Sequence, residues 1–407
     1  MAFLVAGGSQ PANAQDEALF GTIETRDDEP IPGVLISATD ADGQEVGTAT
    51  TDENGDWRIG LPGPGEYTVG IDQETLPEGV ELRSETVATT TLTVRTGQER
   101  RVLFPIGEAV AGESMFESIS QRLVTGIKIG LIIAITSVGL SLVFGTTGLI
   151  NFAHGELVTF GAIVAWFLNV TIGIDLIFAA ILAAIIGAMF GASLDVLLFA
   201  PLRRRGITGF QFLVITIGLG LFLQHIFLIW FGSEFHPYGD YARQATRNFG
   251  PIRINVRDII VMVLSVLVLV AVATMLQRTR LGRAMRAVAD DTDLAEASGV
   301  DVGRVVRAVW ALSAGLAAIG GVFLGLVTNV QYLMGFRLLL LMFAAVIVGG
   351  LGSAYGAMVG GLLVGIVSEV STVWLRVELK SVWALVVLII VLMVRPQGIL
   401  GTRERVG

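Results

Sequence analysis

"KIGLIIAITSVGLSLVFGTTGLINFAHGELVTFGAIVAWFLNV", residues Lys128 to Val170, decides the fold of this chain. A membrane-spanning helix needs about 20 mostly apolar residues, and the stretch holds two such runs. They part at "GTTGL", Gly145 to Leu149, where two glycines interrupt the helical pattern. Just beyond stand Asn151, His154 and Glu156. Polar groups in lipid are costly and face a cavity or another helix. Helical spacing puts Asn151, His154 and Val158 on one face, with Glu156 and Thr159 nearly opposite. The two sets cannot both line one narrow path. Asn151 and His154 are candidates for a translocation pathway, and hydrogen bonding to neighbouring helices is the plainer alternative.

The rest of the chain repeats the apolar texture. Its 407 residues are 53% hydrophobic and 15% charged, with a mean hydropathy of +0.71. A soluble protein carries about 25% charged residues. Nine apolar stretches can be drawn, at 121–145, 150–170, 174–200, 208–231, 257–276, 305–328, 337–351, 354–375 and 381–395. The expected fold is therefore an all-α polytopic membrane protein of about eight or nine spans, covering residues 121–400. The stretch 337–351 is short enough to be a partial span. Glycines at 352, 356 and 360, and the pair Gly361 and Gly365, recur every four residues, which suits close helix packing. "GGLGS", Gly349 to Ser353, marks a tight turn between helices.

Charge divides the chain in two. Residues 1–118 hold 22 acidic against 6 basic side chains, and residues 119–407 hold 14 against 21. With an odd number of spans the two termini lie on opposite sides. Twelve arginines (Arg203, Arg204, Arg205, Arg278, Arg280, Arg283, Arg286, Arg304, Arg307, Arg395, Arg403, Arg405) then fall on one side. Seven basic residues (Arg243, Arg247, Arg253, Arg257, Arg337, Arg376, Lys380) fall in short loops on the other. The excess of positive charge marks the cytoplasmic side. This places the N-terminal part outside a plasma membrane and the tail, 401–407, in the cytoplasm. Residues 1–18 are signal-like or disordered, since "ANA" at Ala12 to Ala14 resembles a cleavage site.

Residues 19–104 read as β structure, joined by a linker, 105–120, to the membrane part. "GVLISATDADGQEVGTATTDENGDWRIGLPGPGEYTVGID" alternates apolar and polar residues. Turn signals stand at Asp42-Gly43, Asn54-Gly55 and Pro62 to Gly65. This predicts an extracytoplasmic all-β sandwich. The stretch from Pro30 to Ile71 resembles the carboxypeptidase-regulatory, transthyretin-like sandwich family, with Trp57 and Tyr67 as core anchors. The resemblance implies scaffolding or partner docking rather than catalysis. Acidic loops at Asp27, Asp28, Asp40, Asp42, Asp52 and Asp56 suit a solvated surface, with calcium binding as the sharper alternative.

Gln277 to Gly315 is the longest segment on the cytoplasmic side. It runs basic, acidic, then basic, and favours helix. Asp290, Asp291, Asp293 and Glu296 cluster near one helix start, where negative charge suits the helix dipole. A helix lying across this face can receive force from a soluble partner. An amphipathic helix resting on anionic lipid is the alternative.

At this point the membrane part resembles the permease subunits of branched-chain amino acid ATP-binding cassette importers. The matching stretches are "GLSLVFGTTGLINFAHGELVTFGA", "PLRRRGITGFQFLVITIGLGLFLQ", "TRLGRAMRAVADDTDLAEASGVD", "VIVGGLGSAYGAMVGGLLVGI" and "RPQGILG". The resemblance implies a loop, Glu-Ala-Ala-x-x-x-Gly in related importers, that docks into an ATPase. Here it reads Asp293-Leu294-Ala295-Glu296-Ala297-Ser298-Gly299, with Asp for Glu and Leu294 for the first alanine. Asp290, Asp293, Leu294, Ala295, Glu296 and Gly299 are thus the candidate coupling residues.

The chain has no means to burn nucleotide. Its two lysines, Lys128 and Lys380, lie outside any phosphate-binding Gly-Lys-Ser/Thr motif. The three histidines (His154, His225, His236) form no metalloprotease motif, cysteine is absent, and no serine sits in a G-x-S-x-G elbow. No catalytic residue, metal site or cofactor is expected. The implied partners are separate ATP-binding subunits, a second permease subunit (homologous or identical), an extracytoplasmic substrate-binding protein, the membrane and a small-molecule substrate. Nucleic acid is not among them. Gln211 and Gln224 are further pathway candidates. The implied activity is import of branched-chain or related hydrophobic amino acids. Urea or short amides are the alternative substrates, and a non-transporting receptor or scaffold is the rival class.

Overall fold

The computed structural model describes residues 17–24, 30–77, 88–102, 104, 115–207, 209–240, 246–250 and 252–401. The signal-like start, Asp27, Asp28, Arg243, Arg403 and Arg405 lie outside the described residues, as does most of the 105–120 linker. The chain forms two compact units, divided between Ser114 and Met115.

The first unit is a sandwich of two sheets. β1 (Ala18–Thr22) lies between β4 (Asp56–Gly60) and β7 (Glu99–Arg101). β2 (Leu35–Asp40) and β5 (Gly65–Ile71) are the inner strands of the other sheet, flanked by β3 (Glu45–Thr50) and β6 (Thr89–Val94). Leu19, Ile36, Trp57, Ile59, Tyr67 and Val69 fill the space between the sheets. Tyr67 also donates to Gly63 O at 2.7 Å, satisfying its hydroxyl beside the Pro62–Gly65 turn. The carboxylates of Asp40 and Asp52 turn back on their own loops. Asp40 accepts from Asp42 and Gln44 N–H, and Asp52 from Asn54 and Asp56 N–H.

The second unit is a helical bundle. Its first part holds α1 (Met115–Thr147), α2 (His154–Trp166), α3 (Leu176–Leu194), α4 (Ala200–Arg204) and α5 (Gly209–Phe231). A hairpin follows, β8 (Thr246–Phe249) and β9 (Ile252–Asn255), and then α6 (Val256–Arg278). Two short helices, α7 (Arg280–Asp290) and α8 (Thr292–Ala297), lead into α9 (Val302–Thr328). α10 (Met334–Gly349), α11 (Ala354–Val370) and α12 (Lys380–Val394) complete it. Among the described residues, six helical stretches are long and apolar enough to cross a bilayer. They begin at Met115, Leu176, Gly209, Val256, Val302 and Ala354. All nine apolar stretches form helices: α10 and α12 are shorter than these six, and α2 continues as a π-helix through Phe167–Thr171.

Two of the helices, α2 and α10, follow breaks in the chain and begin at buried residues. α1 and α9 cross antiparallel at the centre, with Gly139 against Ser313 and Gly320 against Thr136. Each is followed by a short turn and a helix that starts inside the bundle, α2 after α1 and α10 after α9. The neighbours match across the pair. α1 packs on α10 and α11, α9 packs on α2 and α3, and α2 meets α10. Such matching is the signature of two repeats of opposite direction. The starts of α2 and α10 touch through backbone. A Cβ on Gly335 would stand 1.9 Å from Gly155 O, so only glycine permits the approach.

The "GGLGS" stretch forms the predicted turn between α10 and α11, with Gly350 and Gly352 at positive φ. Gly361 and Gly365 of α11 pack directly on Ala134 and Gly130 of α1.

Candidate functional site: a buried centre and a capped loop

The polar residues of the opening stretch gather where α2 begins. Asn151 is buried, and its Oδ1 accepts from Ala153 N–H at 3.0 Å, capping the turn into the helix. His154 is fully buried, with Nε2 3.0 Å from Thr136 O in the middle of α1. A carbonyl can only accept, so Nε2 carries a proton and donates it here. Thr159 Oγ1 takes the N–H of Gly335 at 3.1 Å, fastening α10 to α2. Glu156 is buried as well. The N–H groups of His154 and Met334 are satisfied inside their own turns, by Asn151 O and Gln331 O. The two helix starts thus form a closed, internally capped centre.

The other pathway candidates stand elsewhere. Gln211 is exposed and Gln224 half-buried, both on α5. That helix turns Gln211, Val214, Gly218, Leu221 and His225 to the outside. Spacing of three to four residues gathers them on one face. α5 touches the centre from its other side, where Thr216 Oγ1 lies 3.3 Å from Ile150 O.

The proposed coupling loop is a rigid object. Asp291 caps the start of α8, its Oδ1 accepting from Leu294 N–H at 2.9 Å. At the other end Gly299 N–H donates to Glu296 O at 2.9 Å and Val300 N–H to Ala295 O at 3.0 Å. These two bonds make a Schellman cap, which requires the left-handed backbone that Gly299 adopts at φ 85°. Only Ala295 faces inward, while Asp290, Asp293, Leu294 and Glu296 are exposed. Leu294, one of the two residues that depart from the family pattern, is 64% exposed and offers an apolar contact. α7 rests its Met285 and Val288 on the bundle and leaves Arg280, Arg283 and Arg286 outside.

Several side-chain pairings escape a linear reading. Asp258, at the start of α6, takes Lys128 Nζ from α1 at 2.7 Å. Asp195 pairs with Arg203 at 2.5 Å, and Glu369 with Lys380 at 3.0 Å. Nearly every acid in or beside the spans therefore has a partner, because an unpaired charge there is expensive. A loop, Ser233 to Asp240, is stapled across the end at which α5 finishes. Main-chain bonds join His236 and Val330 in both directions at 2.9 Å. Tyr238 is buried and donates to Ala162 O, and Asp240 accepts from Asn169 and Leu176 N–H. Burial pushes the Tyr238 phenol pKa up. A linear reading could not find this loop, since its residues lie about 60 to 95 positions from those they touch.

The comparisons with known proteins agree with this architecture. Residues 122–392 match the family described as branched-chain amino acid transport system / permease component, and residues 18–105 match the carboxypeptidase regulatory-like domain. The high-affinity branched-chain amino acid transport system permease protein LivH of Escherichia coli (strain K12) is 32% identical over 300 residues, covering 70% of this chain and 96% of that protein. The corresponding permease protein BraD of Pseudomonas aeruginosa is 32% identical over 301 residues, with the same coverage. A probable branched-chain amino acid transport permease, LivH of Methanocaldococcus jannaschii, is 27% identical over 282 residues, covering 66% of this chain and 89% of that protein. With two thirds of its length matched by the family and nearly the whole of those relatives covered, this chain is a multi-pass membrane protein that belongs to the branched-chain amino acid transport permease family.

Proposed function

We propose that this chain is the membrane subunit of an ATP-driven importer for branched-chain or related hydrophobic amino acids. The single observation that carries the mechanism is the doubly capped helix α8, held out with Leu294 exposed and Gly299 closing its end. A helix stopped at both ends transmits displacement instead of fraying. Asp290, Asp293, Leu294, Ala295, Glu296 and Gly299 form the coupling element that a separate ATPase subunit grips. The arginines at 203–205, 278–286 and 304–307 support a cytoplasmic position for this face, since positive charge is enriched there. The sandwich, residues 19–104, then lies outside the membrane, where it helps hold an extracytoplasmic binding protein.

The pathway follows from where there is room. The centre between α2 and α10 is filled by backbone contact, so solute does not pass through one bundle. The outward face of α5 carries Gln211 and His225 among apolar residues, with Gln224 at its edge. We assign the pathway to the space between this face and a second permease, homologous or identical. Asn151 and His154 lie behind it and fix the turn on which α5 rests. Such a path is mostly apolar with a few hydrogen-bonding groups, which suits a zwitterion with an aliphatic side chain.

Reconstitution in vesicles with the partner ATPases and binding protein tests the proposal. Leucine uptake dependent on ATP, with no uptake of urea, is the expected result. Urea uptake without leucine uptake would reassign the substrate. Failure of the chain to recover an ATPase subunit would favour a receptor instead.

A further inference from the structure

β6 is an edge strand of the sandwich, hydrogen-bonded to β5 along one side. Ile71 N–H donates to Ala88 O at 3.0 Å, just before the strand begins. In an antiparallel ladder, successive residues alternate between turning their main-chain groups to the neighbour and turning them away. Ala88, Thr90, Leu92 and Val94 therefore address β5, and Thr89, Thr91 and Thr93 present N–H and C=O outward. The Thr68–Thr91 pair agrees. Its hydroxyls meet at 2.9 Å, as the closer side chains of a non-hydrogen-bonded pair do. Among the described residues, no strand takes up the outward groups.

An open edge invites another strand, and proteins blunt it with charge, proline or a bulge. The other three edges follow that rule. β3 carries Glu45, and its pairing with β2 is irregular at Ala38/Thr39. β4 carries Asp56 and Arg58, and β7 is Glu99-Arg100-Arg101. β6 reads Thr-Thr-Thr-Leu-Thr-Val, without charge or proline, and its register with β5 is unbroken. Thr89, Thr91 and Thr93 are all exposed.

We propose that two copies of this chain pair through β6, antiparallel about a two-fold axis at Thr91. Thr91 then faces the partner's Thr91, and Thr89 faces the partner's Thr93 in both directions. Each of these pairs exchanges two main-chain hydrogen bonds. The two four-stranded sheets join edge to edge. Cross-strand threonine pairs are favourable, whereas like charges directly opposite are not. A second copy is the occupant because the edge is its own complement. Reversing the strand about Thr91 lays threonine on threonine at every outward position, a symmetry that a strand of another protein would not need. Leu92, packed at the margin of the sandwich core, comes to lie opposite the partner's Thr90. This goes beyond the transport reading and does not rest on the substrate.

Disulfide trapping in the full-length chain, kept in membranes, tests the pairing. The chain has no cysteine, so each introduced thiol is unique. Cα atoms opposed in a hydrogen-bonded antiparallel pair lie about 5.5 Å apart, within the range a disulfide spans. Thr91→Cys is therefore expected to give, on mild oxidation, a dimer of twice the chain's mass. Thr89→Cys alone should give none, since its two thiols are offset by about 14 Å along the strands. Coexpressed with Thr93→Cys, it should cross-link. Adding Thr91→Lys to both chains sets two ammonium groups face to face and should abolish this mixed cross-link, with the yield of folded chain unchanged.

No dimer from Thr91→Cys, equal dimer from Thr89→Cys alone, or a mixed cross-link that survives Thr91→Lys each overturns the proposal. So does capture of a different protein by Thr91→Cys in place of a second copy. If Thr91→Cys does not fold, the mixture of Thr89→Cys and Thr93→Cys decides alone. Leucine uptake is a separate measurement, so failure here leaves the transport reading standing.

Discussion

His154 Nε2 reaches Thr136 O at 3.0 Å, and this bond fastens the start of α2 to the middle of α1. The ring is enclosed on all sides, so its removal leaves both a cavity and a lost hydrogen bond. His154→Ala is expected to lower stability by about 2–4 kcal/mol. His154→Gln, which restores a donor, should recover part of this. Thermal unfolding in detergent measures both, and an unchanged midpoint in the alanine variant would remove the packing role.

Gly335 admits no side chain. Gly335→Ala places a methyl against Gly155 O and is expected to cost about 3 kcal/mol or more. Gly218→Ala on α5, where a methyl meets nothing within 4 Å, should shift stability by less than about 0.5 kcal/mol. The yield of monodisperse protein separates the two. Equal yields would contradict the close approach of α2 and α10.

Coupling makes a different demand on Gly299. Its φ of 85° excludes proline, and its N–H is donated to Glu296 O. Gly299→Pro should therefore abolish uptake and ATPase stimulation while the thermal midpoint of the bundle stays near wild type. Gly299→Asn, which tolerates the left-handed region, should keep most of the uptake. Normal uptake in the proline variant would withdraw the coupling role from this loop.

Asp258 and Lys128 should behave as a unit. Asp258→Asn leaves a largely buried ammonium without its counter-charge, at a cost of about 3 kcal/mol. Replacing both, Lys128→Met with Asp258→Leu, should restore much of that stability. A double variant no more stable than the single one would mean that the pair contributes net stability rather than offsetting its own burial.

In the sandwich, burial and then the negative charges of Asp40 and Glu17 raise the pKa of Tyr67 above 10.0. The folded state holds this proton more tightly than the unfolded chain. The contribution is thus complete below about pH 10 and is lost as pH rises through the folded value. The tyrosinate absorbance that disappears in Tyr67→Phe should have its midpoint above 10.0. A midpoint at or below that value would place Tyr67 in solvent.

Much of this was legible along the chain. Asp42-Gly43 and Asn54-Gly55 announced their turns, and both glycines adopt positive φ. Trp57 and Tyr67 were expected as core anchors from the resemblance to the sandwich family, and both are buried. The membrane part was readable from composition, but its depth was not. Apolar residues look the same in a helix that crosses the bilayer and in one that starts within the bundle. The stretch of α2 was therefore drawn as an ordinary span, and that of α10 as one short enough for a partial span, on length alone. Pairing of charges was illegible for another reason. Asp258 meets Lys128 from 130 residues away, a distance that only the packing of α6 on α1 removes. At the site, the faces of Asn151 and Glu156 could be told apart by helical spacing, yet not that protein encloses both.

One consequence of the stapled loop concerns how easily the bundle can change shape. His236 and Val330 share two main-chain bonds at one end. At the opposite end Ile399 and Leu400 donate two more to Val348 and Gly349, both at 2.8 Å. α10 and its leading turn thus carry a two-bond latch at each extremity, and each net bond is worth about 1 kcal/mol. Thermal motion alone can spring either one. The two latches lie at opposite ends of α10, and neither includes the glycine-packed contact between Gly335 and Gly155 near its start.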